Sequence, residues 1–174
     1  MAAEKTVRLF PDAGPMITLA YADALDLLLK PGWPVTVVDM VFHELTRNQT
    51  PTSQKIAAWV EKNALPLHTT RTFGRHKKLI ADSPASRTAN LGELAIQEAM
   101  NEMALLAEPT SCVFLFEDYK VAKASFLLPA RCHKVSTRSY LLFLEEKGWL
   151  ASAAKIERRA VTNGRRFAQL RFPP

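Results

Sequence analysis

Cysteine is scarce in this chain: two residues, Cys112 and Cys132, in 174. They form no C-x-x-C pair, which argues against a zinc knuckle, with His43, His68, His76 and His133 too scattered to complete one. Two isolated cysteines fit a reduced, cytoplasmic protein in which thiols serve as small buried hydrophobes. Long apolar runs are missing as well. No stretch approaches the roughly 18 uninterrupted apolar residues of a spanning helix, and the opening MAAEKTVRLF has no apolar core of a signal peptide. Internal repeats and low-complexity tracts are also absent, which excludes solenoid and linker architectures.

What is present describes a folded domain. Apolar residues make up 48% and charged residues 23%, too apolar for a disordered chain. Acidic residues are the minority, 17 against 23 Lys and Arg, and the resulting charge of +6 suits a polyanionic partner without requiring one.

Short apolar runs alternate with stretches of helical period, the pattern of a parallel α/β domain. Strands are expected over 6–10, 35–38, 66–70, 112–116 and 133–137. Helices are expected from Pro15, from Asp39, and over 51–63, 91–106, 118–126, 140–146 and 151–160. Residues 71–89 carry Arg71, Arg75, His76, Lys77, Lys78 and Arg87 among Gly, Ser and Pro, and read as a long loop or insertion with a short helix. Residues 161–174 form a basic tail with no assignable structure.

Four acids stand where such a fold turns from strand to helix or begins a helix. Asp12 follows the first strand, Glu44 lies one turn into a helix, Glu93 stands near the start of another, and Asp118 follows the most apolar strand beside Glu117. Each also has a structural account. Asp12 and Asp118 could cap helices, Asn90 with Glu93 reads as a variant capping box, and Glu44 could pair with Arg47. Asp39 reads best as a helix cap. If the carboxylates converged, like charges about 4 Å apart would repel by about 4 kcal/mol at an effective dielectric near 20. Such a cluster recruits a cation or raises its own pKa values.

In order and context the four acids resemble the PIN-domain family, in particular its VapC-like ribonucleases, over roughly residues 7–160. Asp12 matches the first family acid and Glu44 the second. Leu-Gly-Glu-Leu-Ala-Ile (91–96) places Glu93 at the third, and Asp118 with Glu117 resembles members that carry an acidic pair. The resemblance implies a three-layer α/β/α fold with a central, mainly parallel sheet, and a metal-dependent endoribonuclease acting on single-stranded RNA. It implies Mg²⁺ or Mn²⁺ held by Asp12, Glu93, Asp118 and Glu117, with Glu44 among the catalytic acids. It further implies a small antitoxin protein or a second copy of the chain as partner. Arg71, Arg75, Lys77, Lys78, Arg87, Lys120 and Lys123 are the expected RNA contacts, and Phe73 could stack on a base. Gly14 departs from the pattern, since many members have Ser or Thr there. Thr137 or Ser136 are candidate substitute hydroxyls. The departure keeps open a second expectation, an inactive PIN-like nucleic-acid-binding or regulatory module.

Overall fold

The computed structural model describes residues 6–84, 90–106, 110–117 and 129–166. The strands are β1 (Val7–Pro11), β2 (Val37–Val38), β3 (Leu67–His68), β4 (Ser111–Phe116) and β5 (Cys132–Ser136). Parallel pairing joins β1 to β4, β4 to β5 and β2 to β3. A bridge between Leu9 and Val35, with Leu9 N–H donating to Pro34 and Thr36 N–H donating to Leu9, ties the two sheets edge to edge. The combined order is β3-β2-β1-β4-β5. The short apolar runs of the sequence supply this sheet because strands buried on both faces need no alternation of polar residues.

Around it lie helices α1 (Ala13–Tyr21), α2 (Asp39–Thr46), α3 (Pro51–Lys62), α4 (Arg71–Asp82), α5 (Leu91–Ala104), α6 (Thr137–Glu146) and α7 (Ala153–Thr162), with a 3₁₀ turn at Leu25–Leu29. The result is the expected α/β class, a parallel sheet covered as in a three-layer α/β/α fold. Leu9, Met16, Leu28, Met100, Leu115 and Leu144 are fully buried between sheet and helices. Leu9 and Leu115 hold the two central strands, so truncating either to Ala would cost about 2–5 kcal/mol.

Pleating assigns the sheet's two faces. In register, Phe10, Phe114 and Lys134 share one face, and Leu9, Val113 and His133 the other. Cys112 and Cys132 are register partners on the Phe114 face, both free and both buried. Burial pushes the Cys132 thiol up to about 12 and raises that of Cys112, as expected of inert hydrophobes.

Two expectations need correction here. Residues 71–82 are not loop but a three-turn helix, α4. Thr70 caps it by accepting Phe73 N–H at 3.1 Å, and Glu98 of α5 accepts Arg71 N–H at 2.7 Å and Thr72 N–H at 3.0 Å. No α4 residue is fully buried, and its apolar residues, Phe73, Leu79 and Ile80, stand among Arg71, Arg75, His76, Lys77 and Lys78, which mask its helical pattern in the sequence. Asp39 is not a cap either: Val38 holds that position and Asp39 is the first helical residue. Its buried carboxylate accepts from Thr70 N–H at 2.7 Å and from the Thr70 hydroxyl at 2.8 Å, clamping the end of β2 to the start of α4.

Candidate functional site

In an open α/β sheet, ligands bind beyond the carboxyl ends of the strands, where strand order reverses. Here that place lies between β1 and β4, the neighbours from which the chain departs in opposite directions. Asp12 ends β1 there, and its N–H donates to Leu115 of β4 at 2.9 Å. Asp12 occupies the cap position of α1 in extended backbone, yet its side chain makes no capping hydrogen bond. The capping account of this acid therefore fails. The alternation along β1 assigns it to the face of Phe10 and Lys134.

Glu44 and Glu93 are brought together by the contact of α2 with the start of α5. Glu44 Oε1 accepts from Gly92 N–H at 3.2 Å. A Cβ at position 92 would lie 2.7 Å from Glu44 Oε2, so only glycine admits the carboxylate this close to the helix start. Burial raises the pKa of Glu44, partly offset by the Gly92 N–H and by the charges of Arg47 and His76. Glu93, the next residue, is half-buried and acts electrostatically on Lys134 of β5. Its capping-box account also fails: Asn90 takes a left-handed conformation (φ 62°) and makes no side-chain cap. Lys134 is a site residue that sequence reading missed. Burial lowers its pKa and Glu93 works against that shift. Only its place on β5 puts it beside an acid 41 positions away, so no local signal marked it.

Glu117 goes elsewhere. It follows β4 with its side chain on the opposite face, 5% exposed, packed against α1. Its Oε2 accepts from the Thr18 hydroxyl at 2.9 Å and from Arg165 Nη2 at 3.1 Å, and Arg165 Nε donates to the Thr18 hydroxyl at 2.9 Å. The carboxylate is thus held by an arginine from beyond α7. This also accounts for Gly14, where a Cβ would lie 3.0 Å from Glu117 Cβ and 3.3 Å from its Oε2. The room that a Ser or Thr would need there is filled by Glu117. Of the candidate substitute hydroxyls, Ser136 caps α6 by accepting Ser139 N–H at 3.1 Å, and that of Thr137 is buried without a partner among the described residues.

Asp118, Arg87, Lys120 and Lys123 lie outside the described residues. Among those described, no three His, Cys, Asp or Glu side chains gather as ligands for one ion, so Asp12, Glu44 and Glu93 do not by themselves form such a group. The donors present are hard oxygens, which suit Mg²⁺ or Mn²⁺ in kind.

The expected basic contacts that lie among the described residues fall on one helix. Arg71, Arg75, Lys77 and Lys78 are all exposed on α4. Arg71 and Arg75 line a groove of about 460 Å³ between α4 and α5, whose other wall includes Leu94 and Leu105. Phe73 is half-buried, packed against His43 of α2 with ring centres 5.3 Å apart. Among the described residues no helix is long and apolar enough to cross a membrane.

No protein-family model, no curated protein and no solved structure matches this chain.

Proposed function

We propose that this chain is a metal-dependent endoribonuclease of PIN-like architecture, cleaving phosphodiester bonds of single-stranded RNA at the carboxyl end of its sheet. The observation that carries the reading is the place of Asp12, a carboxylate at the carboxyl end of β1 where the strand order reverses. Glu44, which accepts from Gly92 N–H, and Glu93, the next residue of α5, are the further acids of this scheme. Asp12 and Asp118 are the direct ligands in this scheme, with Glu44 and Glu93 completing the shell or orienting the attacking water. When bound, Mg²⁺ or Mn²⁺ supplies charge neutralisation at the phosphate and lowers the pKa of a bound water. The raised proton affinity of Glu44 suits a group that orients the attacking water or accepts its proton. The cations of α4 supply attraction for the backbone of the strand, which the acids alone would repel.

A second reading, an inactive nucleic-acid-binding or regulatory module, is favoured by the engagement of Glu117 with Arg165, which withdraws one acid from any metal shell. Cleavage of a labelled single-stranded RNA with Mg²⁺ or Mn²⁺, against EDTA, separates the two. The nuclease reading expects cleavage that needs metal and is lost in Asp12→Asn and Asp118→Asn. Binding without cleavage by the unaltered protein, under every metal tried, would favour the module.

A further inference from the structure

Beside Glu44, where α2 meets α4, three flat rings gather. His43 lies 5.3 Å from Phe73 and 5.5 Å from His76, centre to centre, and Phe73 and His76 are near parallel at 6.4 Å and 23°. All three are half-buried, so each keeps part of its surface in solvent. Lys77 Nζ stands 4.9 Å from the centre of the Phe73 ring. Arg47, one turn beyond His43, is exposed and acts electrostatically on both His43 and Glu44.

Aliphatic contacts would fasten a helix to its neighbour and leave no polar atom to satisfy. This junction instead joins α4 through π-systems flanked by cations. Aromatic faces beside positive charge are what single strands use: unpaired bases stack on the rings while cations hold the phosphates, with little regard for sequence. His76 acts on Glu44, so the rings border the proposed cleavage site instead of lying across the molecule from it.

We propose that His43, Phe73 and His76 form a stacking site for an unpaired base of single-stranded RNA, with Lys77 and Arg47 holding the adjoining phosphates. The inference rests on the single-stranded substrate of the nuclease reading, yet it concerns binding and is measured without metal. An acidic protein segment could also be drawn to the cations, but it would leave the ring faces without a purpose.

The test is fluorescence anisotropy in EDTA with the full chain and a labelled oligoribonucleotide. The same strand with abasic sites and a duplex of the same length serve as comparisons. Stacking is worth about 1–3 kcal/mol per base, so the intact strand should bind about 5- to 100-fold more tightly than the abasic one. Phe73→Leu and His76→Leu should reduce that ratio toward one while leaving abasic binding near its original strength. Circular dichroism of both variants checks that α4 stays folded, and the abasic comparison on the unaltered protein needs no variant. Equal affinity for intact and abasic strands, tighter binding of the duplex, displacement by polyglutamate as readily as by RNA, or no measurable binding would each overturn the stacking site. Base-dependent binding with no cleavage in any metal would sink the nuclease reading alone. Metal-dependent cleavage with base-independent binding would sink this inference alone.

Discussion

Arg165 reaches back from beyond α7 to donate to Glu117 Oε2 at 3.1 Å, linking the end of the described chain to the end of a central strand. Glu117 is 5% exposed and its other carboxylate oxygen is buried without a hydrogen-bond partner among the described residues. Removing one partner of a buried ion pair leaves an uncompensated charge, at a cost of about 3–5 kcal/mol, whereas removing both often costs little. Arg165→Met is therefore expected to destabilise strongly, and Arg165→Met with Glu117→Gln to recover much of the loss. Urea denaturation of the single and double variants measures it. Equal stability of Arg165→Met and the unaltered protein would show that the contact is not formed in solution.

Two glycines make opposite predictions about the acids beside them. At Gly14 an added side chain meets Glu117, so Gly14→Ser forces either that carboxylate or α1 to move; overpacking of this kind costs about 1–3 kcal/mol. Its effect should fall more on stability than on cleavage per folded molecule, because the clash is with Glu117 and not with Asp12 itself. Gly92→Ala places Cβ 2.7 Å from Glu44 Oε2, displacing a proposed catalytic acid. Gly92→Ala should lower cleavage far more than stability. Melting temperatures beside cleavage rates discriminate the pair, and the reverse ranking would contradict the placement of these acids.

The strands and most helices were legible because their burial leaves a local trace. The run at β4, and the apolar face of α5 with Ala95, Ile96, Ala99 and Met100 buried, both follow from spacing alone. Helix α4 was harder to read: none of its residues is fully buried, and its start is fixed by Thr70 and by Glu98 from another helix. Asp39 was misread for the same reason, since its partner Thr70 is 31 residues away. Of the candidate site, the positions of Asp12, Glu44 and Glu93 were readable from strand and helix ends. The diversion of Glu117 was not, because it depends on Arg165 and on the parity of a strand that ends one residue earlier.

Glu157 of α7 gives the fold a pH dependence with a definite sign. Burial raises its pKa and the charge of Glu117 adds to that shift, while Arg138, 3.9 Å away, opposes it. A raised folded-state pKa means that the native protein binds the proton more tightly than the unfolded chain. The associated stability is fully present below the ordinary glutamate value and is lost as pH rises through the folded-state pKa. Glu157→Gln should accordingly be more stable than the unaltered protein near pH 7.5, with the gap narrowing as pH falls toward 4.5. Urea midpoints of both proteins across that window test it, and a gap that widens on acidification would reverse the sign.

Asp39 carries the last prediction, because its carboxylate holds two ends of the β2–β3 edge together. It accepts from Met40 N–H at 2.7 Å as well as from the Thr70 N–H and hydroxyl, all within a buried setting. Hydrogen bonds to a charged group contribute about 1.5–3 kcal/mol each, and a buried donor left unpaired adds its own cost. Asp39→Ala should thus lose several kcal/mol, and Asp39→Asn less, since its amide oxygen still accepts. Thr70→Val, which removes the hydroxyl but keeps the backbone N–H, should fall between the unaltered protein and Asp39→Ala. Because Thr70 also caps α4, hydrogen exchange in Thr70→Val should speed up first at Arg71–Phe73. Uniform exchange with no local change at that helix start would mean that Asp39 and Thr70 do not set where α4 begins.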